Sequence, residues 1–201
     1  MVDVMLRKLV GNKTEKILGQ IETLLPKNRI VPNILTFIGL GINIIGAYCY
    51  YRGYIFLGGI TILFAGIFDV LDGIVARARN LDSKIGAFID SVVDRYSDFI
   101  ILGGILTFFV LRGDNDSALL VLLVLSGSFL TSYIRAKSEL IISKCDTGLI
   151  QRPERIIILA LGSLLNYLNE ALWFLAVSTH LTAFYRIYYT WKRYKSSGKS
   201  M

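Results

Sequence analysis

The sequence is poor in the residues from which zinc centres and disulfide scaffolds are made. Its 201 residues include one histidine, His180, and two cysteines, Cys49 and Cys145. Zinc prefers nitrogen and sulfur ligands, so this supply argues against it. On the topology derived below the cysteines lie toward opposite membrane faces, whereas a disulfide needs Cα atoms within about 7 Å. No structural disulfide is expected. Charge is also scarce: charged residues make up 18% of the chain and hydrophobic residues 54%, with a mean hydropathy of +0.56. That is too apolar for an ordinary soluble domain of this length and indicates a polytopic membrane protein. No repeat of 20–50 residues is present, and nothing is of low complexity beyond the Ser/Lys tail. Residues 1–20 lack the order of a cleaved secretory signal, so the N-terminus is expected to be retained.

The net charge of +7 fits basic residues that set membrane topology and meet anionic lipid. The expected surface partner is the lipid bilayer, and no nucleic acid. Met5, Leu6, Leu9, Val10, Ile17, Ile21 and Leu24 form an apolar stripe, with Arg7, Lys8, Lys13 and Lys16 largely off it. This predicts an amphipathic juxtamembrane helix over residues 1–25, lying on the membrane. Pro26 and Pro32 punctuate the path into the bilayer. Six apolar segments follow, at 31–51, 54–76, 86–112, 117–142, 153–167 and 169–191. The expected fold is therefore all-α: a single domain, 1–201, with a six-helix transmembrane bundle over 31–192 and a cytoplasmic tail over 193–201. The fifth segment is short, since a span needs about 20 residues. With the N-terminus inside, the outer turns carry only Arg52 and Arg112, and nearly all other Lys and Arg residues fall inside. Both termini are thus expected in the cytoplasm of a multi-pass protein of the cell membrane.

Four carboxylates interrupt this apolar chain. Asp69 and Asp72 are three residues apart, and Asp90 and Asp94 four apart, so each pair occupies one helix face. Each would cost about 2.5–3.5 kcal/mol at the centre of a membrane helix unless offset. At a rise of about 1.5 Å per residue, Asp72, Asp94 and Arg135 each lie roughly 27 Å, and Arg186 roughly 24 Å, from the outer ends of their spans. Acids of spans two and three therefore share a layer with arginines of spans four and six, just inside the cytoplasmic boundary. Hard oxygen donors from two facing helices suit Mg²⁺, Mn²⁺ or Ca²⁺. The alternative is a set of ion pairs with Arg77, Arg79 and Arg95, but pairing alone does not require Gly73, Ala76 and Gly86 beside the acids. A transporter using the aspartates as a cation path is a further alternative. Against it, no acid continues the path outward before Asp114 and Asp116.

The order Asp69, two residues, Asp72-Gly73, two residues, Ala76-Arg77, eight residues, Gly86, three residues, Asp90, three residues, Asp94 resembles, without gap or substitution, the signature of the CDP-alcohol phosphotransferase family. The resemblance implies an integral membrane transferase, usually a homodimer, in which an alcohol attacks the β-phosphorus of a CDP-linked donor and releases CMP. It makes Asp69, Asp72, Asp90 and Asp94 the ligands of two divalent metal ions, Mg or Mn. Asp94 is also implied as the catalytic base. Asp69, Gly73, Ala76, Arg77 and Gly86 would border the CDP moiety. Asn33 and Thr36 resemble the family's Pro-Asn-x-x-Thr entry to the nucleotide pocket; a plain helix start at the interface is the alternative for those two. A metal-bound carboxylate is a weak base, so Asp94 would act largely by positioning the hydroxyl.

Arginine binds phosphate through a planar fork and stays charged when partly buried. Positive-inside topology explains Lys192, Arg193 and Lys195, but Arg135 and Arg186 fall within apolar spans, so an acceptor that already carries a phosphate is expected. The stretches Ser132-Tyr133-Ile134-Arg135-Ala136-Lys137 and Gln151-Arg152-Pro153-Glu154-Arg155 resemble those of the family branch that uses inositol 1-phosphate. That branch comprises the phosphatidylinositol-phosphate and archaetidylinositol-phosphate synthases. Gln151 stands where the branch has Glu. The resemblance implies Arg135, Arg152, Arg155 and Arg186 as acceptor-phosphate ligands. The implied reaction moves a phosphatidyl or archaetidyl group from a CDP-lipid to inositol 1-phosphate, on the cytoplasmic face. Glycerol 3-phosphate is the competing acceptor.

Overall fold

Six helices make up the regular structure of the described residues: α1 Val31–Tyr51, α2 Ile55–Ala78, α3 Lys84–Val110, α4 Asn115–Ser138, α5 Arg152–Leu164 and α6 Leu168–Ser196. A computed structural model describes residues 31–78, 83–142, 145 and 147–196, without the side chains of 31–33, 35 and 70–78. The expected surface helix over 1–25, Arg79, the side chains of Asn33, Asp72, Ala76 and Arg77 and the surroundings of Gly73 lie outside what is described. No strand occurs among those described.

Local chemistry decides where several helices begin. Ser83 Oγ accepts the Gly86 N–H at 2.9 Å, starting α3 two residues ahead of the predicted segment. Asp114 Oδ1 accepts the Ser117 N–H at 3.0 Å and starts α4. At α5, Glu154 Oε2 accepts the Gln151 N–H at 2.9 Å, and Pro153 occupies the first turn, where a missing N–H costs nothing. The α1–α2 and α3–α4 turns are tight because Gly53 (φ 82°) and Gly113 (φ 72°) adopt left-handed backbone.

Two ends differ from expectation. The apolar residues 140–142 suggested that the fourth span continues, yet α4 stops at Ser138; Leu140 and Ile141 are highly exposed beyond it. Hydrophobic run length does not locate a helix end where no Gly or Pro marks it. Conversely, α6 continues to Ser196 and takes in part of the expected tail. There Lys195 lies 4.3 Å from the Trp191 ring centre and Arg193 5.5 Å from that of Tyr189, and cations favour a helix C-terminus.

The helices pack as a closed ring, α1–α2–α5–α6–α4–α3 and back to α1. Because consecutive helices alternate in direction, the second half of α3, the first half of α4, the second half of α5 and the first half of α6 meet at one end. That end holds the core, including Ile105, Val121, Leu159, Leu172 and Leu175. Tyr50 OH and Ser163 Oγ, 2.7 Å apart, join α1 to α5 inside it. Cys49 and Cys145 are both free, and Cys145 is buried.

The outer faces are apolar. Phe56, Phe64, Ile67, Phe99, Leu119, Leu122, Trp173 and Phe174 are each between 46% and 63% exposed. Among the described residues, Asn115–Ser138 is long and apolar enough to cross a membrane; Thr36–Tyr51 and Ile55–Asp69 are shorter apolar helical stretches. Charged side chains interrupt the apolar runs of α3 and α6, and those charges build the opposite end of the ring.

Candidate functional site

At that opposite end, α2 contributes Asp69, α3 contributes Asp90, Asp94 and Asp98, and the first turn of α5 contributes Arg152 and Arg155. Arg135 comes from the end of α4 and Arg186 from α6. The four-residue spacing on α3 puts its three acids on one helix face.

Asp69, Asp90 and Asp94, all half-buried, each offer one carboxylate oxygen, and these oxygens lie within 4.8 Å of one another. Asp72, the fourth predicted ligand, follows Asp69 by three residues on the same helix. Three carboxylates so close repel one another unless a cation lies between them. Asp94 Oδ1 is buried and accepts no hydrogen bond. A hard, anionic oxygen set with an unsatisfied buried acceptor fits Mg²⁺ or Mn²⁺.

The acids also meet an arginine remote in sequence. Arg152 Nη1 lies 2.8 Å from Asp69 Oδ2 and 2.8 Å from Asp94 Oδ1. The first contact is a directed hydrogen bond; the second is an ion pair without one, which leaves Asp94 Oδ1 unsatisfied. Arg95, offered by the ion-pair alternative, lies 3.8 Å from Asp94 Oδ2 and donates to the Ser91 carbonyl. Arg152, expected among the acceptor ligands, is therefore the nearer cation to the acids.

A cavity of about 370 Å³ opens beside them. Asp90 and Asp94 line one side, and Arg135, Arg152, Arg155 and Arg186 contribute to the rest of its wall. All four predicted acceptor arginines thus share one cavity with two of the predicted metal ligands. Their surroundings differ. Arg155 is buried, with Nη2 3.4 Å from Asp98 Oδ2 and Nη1 lacking a hydrogen-bond partner. Arg186 is buried and donates from Nε to the Thr147 carbonyl at 2.7 Å and from Nη1 to the Thr131 carbonyl at 2.6 Å, tying α6 to α4 and to the segment between α4 and α5. Arg135 is 41% exposed and pairs with Glu139 at 3.0 Å. Behind the acids, Thr36, Asn43, Asp69, Ser97 and Arg152 line a narrow crevice toward α1. Thr36 thus shares this crevice with Asp69, while the Gly86 N–H is capped by Ser83 at the start of α3.

Asp98 was not singled out from the sequence. It joins Arg152 to Arg155, and the signal for it was the repeat of the interval of four: Asp90, Asp94, Asp98. Glu139, the partner of Arg135, follows it at the same interval.

The sequence pattern of the CDP-alcohol phosphatidyltransferases matches residues 29–185. The chain is 36% identical to the archaetidylinositol phosphate synthase of Pyrococcus horikoshii over 90% of its length and 94% of the relative. It is 35% identical to the phosphatidylinositol phosphate synthase of Mycobacterium marinum, over 81% and 74% of the two chains. Among solved structures it is similar to Mycobacterium tuberculosis phosphatidylinositol phosphate synthase with CDP-DAG bound (TM-score 0.75, 29% identity, 89% and 92% covered). It is also similar to that protein in complex with manganese and citrate (TM-score 0.75, 30% identity, 86% of each chain). The match over residues 29–185 and relatives aligned over nearly their whole length show that this chain is an enzyme of the CDP-alcohol phosphatidyltransferase family, and its carboxylate cluster suits the divalent metals that such enzymes use.

Proposed function

We propose that the enzyme transfers a phosphatidyl or archaetidyl group from a CDP-lipid to inositol 1-phosphate and releases CMP. The observation that carries this reading is the cavity in which four arginines surround a space adjoining Asp90 and Asp94. Several guanidinium groups beside the reacting centre suit an acceptor with its own phosphate, which serine or free inositol lacks. The names of the archaeal and mycobacterial relatives support inositol phosphate over other anionic alcohols.

In this reading Asp69, Asp72, Asp90 and Asp94 hold two divalent cations, Mg or Mn. Divalent cations held there would supply positive charge to the donor's pyrophosphate and to the departing CMP. Gly73, Ala76, Arg77 and Gly86 border the CDP group, with Asn33 and Thr36 contributed by α1. Arg155, with Nη1 uncommitted, is the principal acceptor ligand. Arg135 and Arg152 flank it, and Arg186 holds the cavity wall while presenting charge. Asp94 lies where the carboxylate cluster meets the arginine cavity, so it orients the acceptor hydroxyl and takes its proton. The acceptor oxygen forms the new bond to the donor's β-phosphorus as the bond from that phosphorus to CMP breaks.

The lipid donor explains the apolar exterior. Contiguous exposed apolar surface on several helices suits hydrocarbon better than water. The proposed arrangement is one domain over 1–201, with residues 1–25 on the membrane surface and six helices spanning it. Both termini and the charged end of the ring face the cytoplasm, and two copies form a homodimer. Acids converging on arginines from three helices do not form the continuous path that a cation transporter needs.

The test is to supply the purified enzyme with CDP-diacylglycerol or CDP-archaeol and, in turn, inositol 1-phosphate, glycerol 3-phosphate, serine and inositol. Products are identified by mass. A phosphorylated inositol lipid formed with equimolar CMP is expected; a glycerophosphate product in its place overturns the acceptor assignment.

A further inference from the structure

We propose that Asp98 is a positioning residue for the acceptor site, holding the Arg152 and Arg155 guanidinium groups together at the start of α5 and thereby setting affinity for the acceptor's phosphate. This rests on the reading that a phosphorylated acceptor occupies the arginine cavity.

Asp98 lies one helical turn beyond Asp94, and its two oxygens are divided between the arginines. Oδ1 is 3.4 Å from Arg152 Nε, and Oδ2 is 3.4 Å from Arg155 Nη2. It is not one of the three acids whose oxygens converge as a metal cluster. Its side chain is 15% exposed and shares a small pocket with Ile62, Ile101, Leu102, Val124 and Leu159. Among such apolar neighbours a charge attracts an opposite charge far more strongly than in water.

Three residues apart on one helix, two guanidinium groups share a face and repel. An anion between them lets both remain there. Asp98 takes the inner edge of each, so Arg152 continues toward Asp69 and Asp94 while Arg155 forms part of the cavity wall. Without the Asp98 charge, the two cations keep their mutual repulsion and lose their shared anchor. Arg155 is then no longer held in one orientation, and the acceptor's phosphate must order it on binding.

The experiment uses the purified full-length enzyme carrying Asp98→Asn, which preserves size and one acceptor oxygen but removes the charge. The KM for inositol 1-phosphate is expected to rise about tenfold or more, in line with losing an outer partner of a binding group. The KM for the CDP-lipid stays within about twofold of wild type, and Asp98→Glu recovers part of the loss. Combined with Arg155→Ala, Asp98→Asn adds less than the product of the two single effects, because part of the Asp98 effect acts through the Arg155 guanidinium. An equal rise in both KM values, a fall in kcat alone, or multiplicative single effects overturns the proposal. So does failure of both Asp98 variants to fold and bind CDP-lipid. If the wild-type enzyme instead uses glycerol 3-phosphate, the inositol assignment fails, and the same comparison run with that substrate still tests Asp98.

Discussion

The two ends of the helix ring treat buried polar groups in opposite ways. At the core end each finds a partner within the protein: Tyr50 meets Ser163, Ser178 donates to the Leu175 carbonyl, and Thr179 to the Leu175 and Ala176 carbonyls. At the charged end lie all three of the described buried side-chain atoms without a hydrogen-bond partner: Asp94 Oδ1, Thr147 Oγ1 and Arg155 Nη1. Thr147 belongs there through its carbonyl, which accepts from Arg186. An unsatisfied buried polar atom costs about 1–3 kcal/mol, so their concentration at one end indicates a region shaped for ligands.

Substitutions at the two ends should therefore separate activity from stability. The largest effect is expected from the metal. Chelation should take CMP release to background, and Mn²⁺ or Mg²⁺ should restore it. Asp90→Asn should lower activity by more than the roughly 10- to 100-fold typical of a ligand's outer partners, with the thermal midpoint in detergent little changed. Activity that survives chelation would remove the cluster of Asp69, Asp90 and Asp94 from the reaction. Next in size is Arg155→Ala. It should raise the acceptor KM about tenfold or more, given about 1.5–3 kcal/mol for a hydrogen bond to a charged group, and change the CDP-lipid KM far less. An equal change in both would show that Arg155 supports the whole cavity and not the acceptor.

The charged end was the more legible in sequence, for a physical reason. Spacings of three and four residues put Asp69 and Asp72, and Asp90 and Asp94, on single helix faces, and a constant rise per residue brought them to the depth of Arg135 and Arg186. Those rules are local, and all four predicted arginines line one cavity with Asp90 and Asp94. What escaped was pairing across the fold. Arg152 hydrogen-bonds Asp69 across 83 positions of sequence, and Asp98 lies just past the last acid of the family signature. The Tyr50–Ser163 bond, 113 positions apart, is equally invisible until the ring brings the end of α1 within side-chain reach of the end of α5. The ends of α4 and α6 escaped because apolar run length says where a helix can lie, not where its hydrogen bonding stops.

Substitutions in the core end should show the reverse pattern, with smaller effects. Leu172 is completely buried, and Leu172→Ala should cost about 2–5 kcal/mol through lost contacts and the cavity left behind. Both KM values should stay near wild type in the fraction that remains folded. Ser163→Ala is the finest probe, because apart from the local bond that Ser163 Oγ donates to the Leu159 carbonyl it removes just the partner of Tyr50 OH. Hydrogen bonds between membrane helices average about 0.6 kcal/mol, so a loss of that order in reversible unfolding is expected. The deletion also orphans a phenol that is 1% exposed. A loss well above 1 kcal/mol would mean that the core end tolerates unsatisfied groups far less than the charged end. No measurable loss would mean that Tyr50 finds another acceptor, and that the contrast between the ends lies in packing and not in hydrogen bonding.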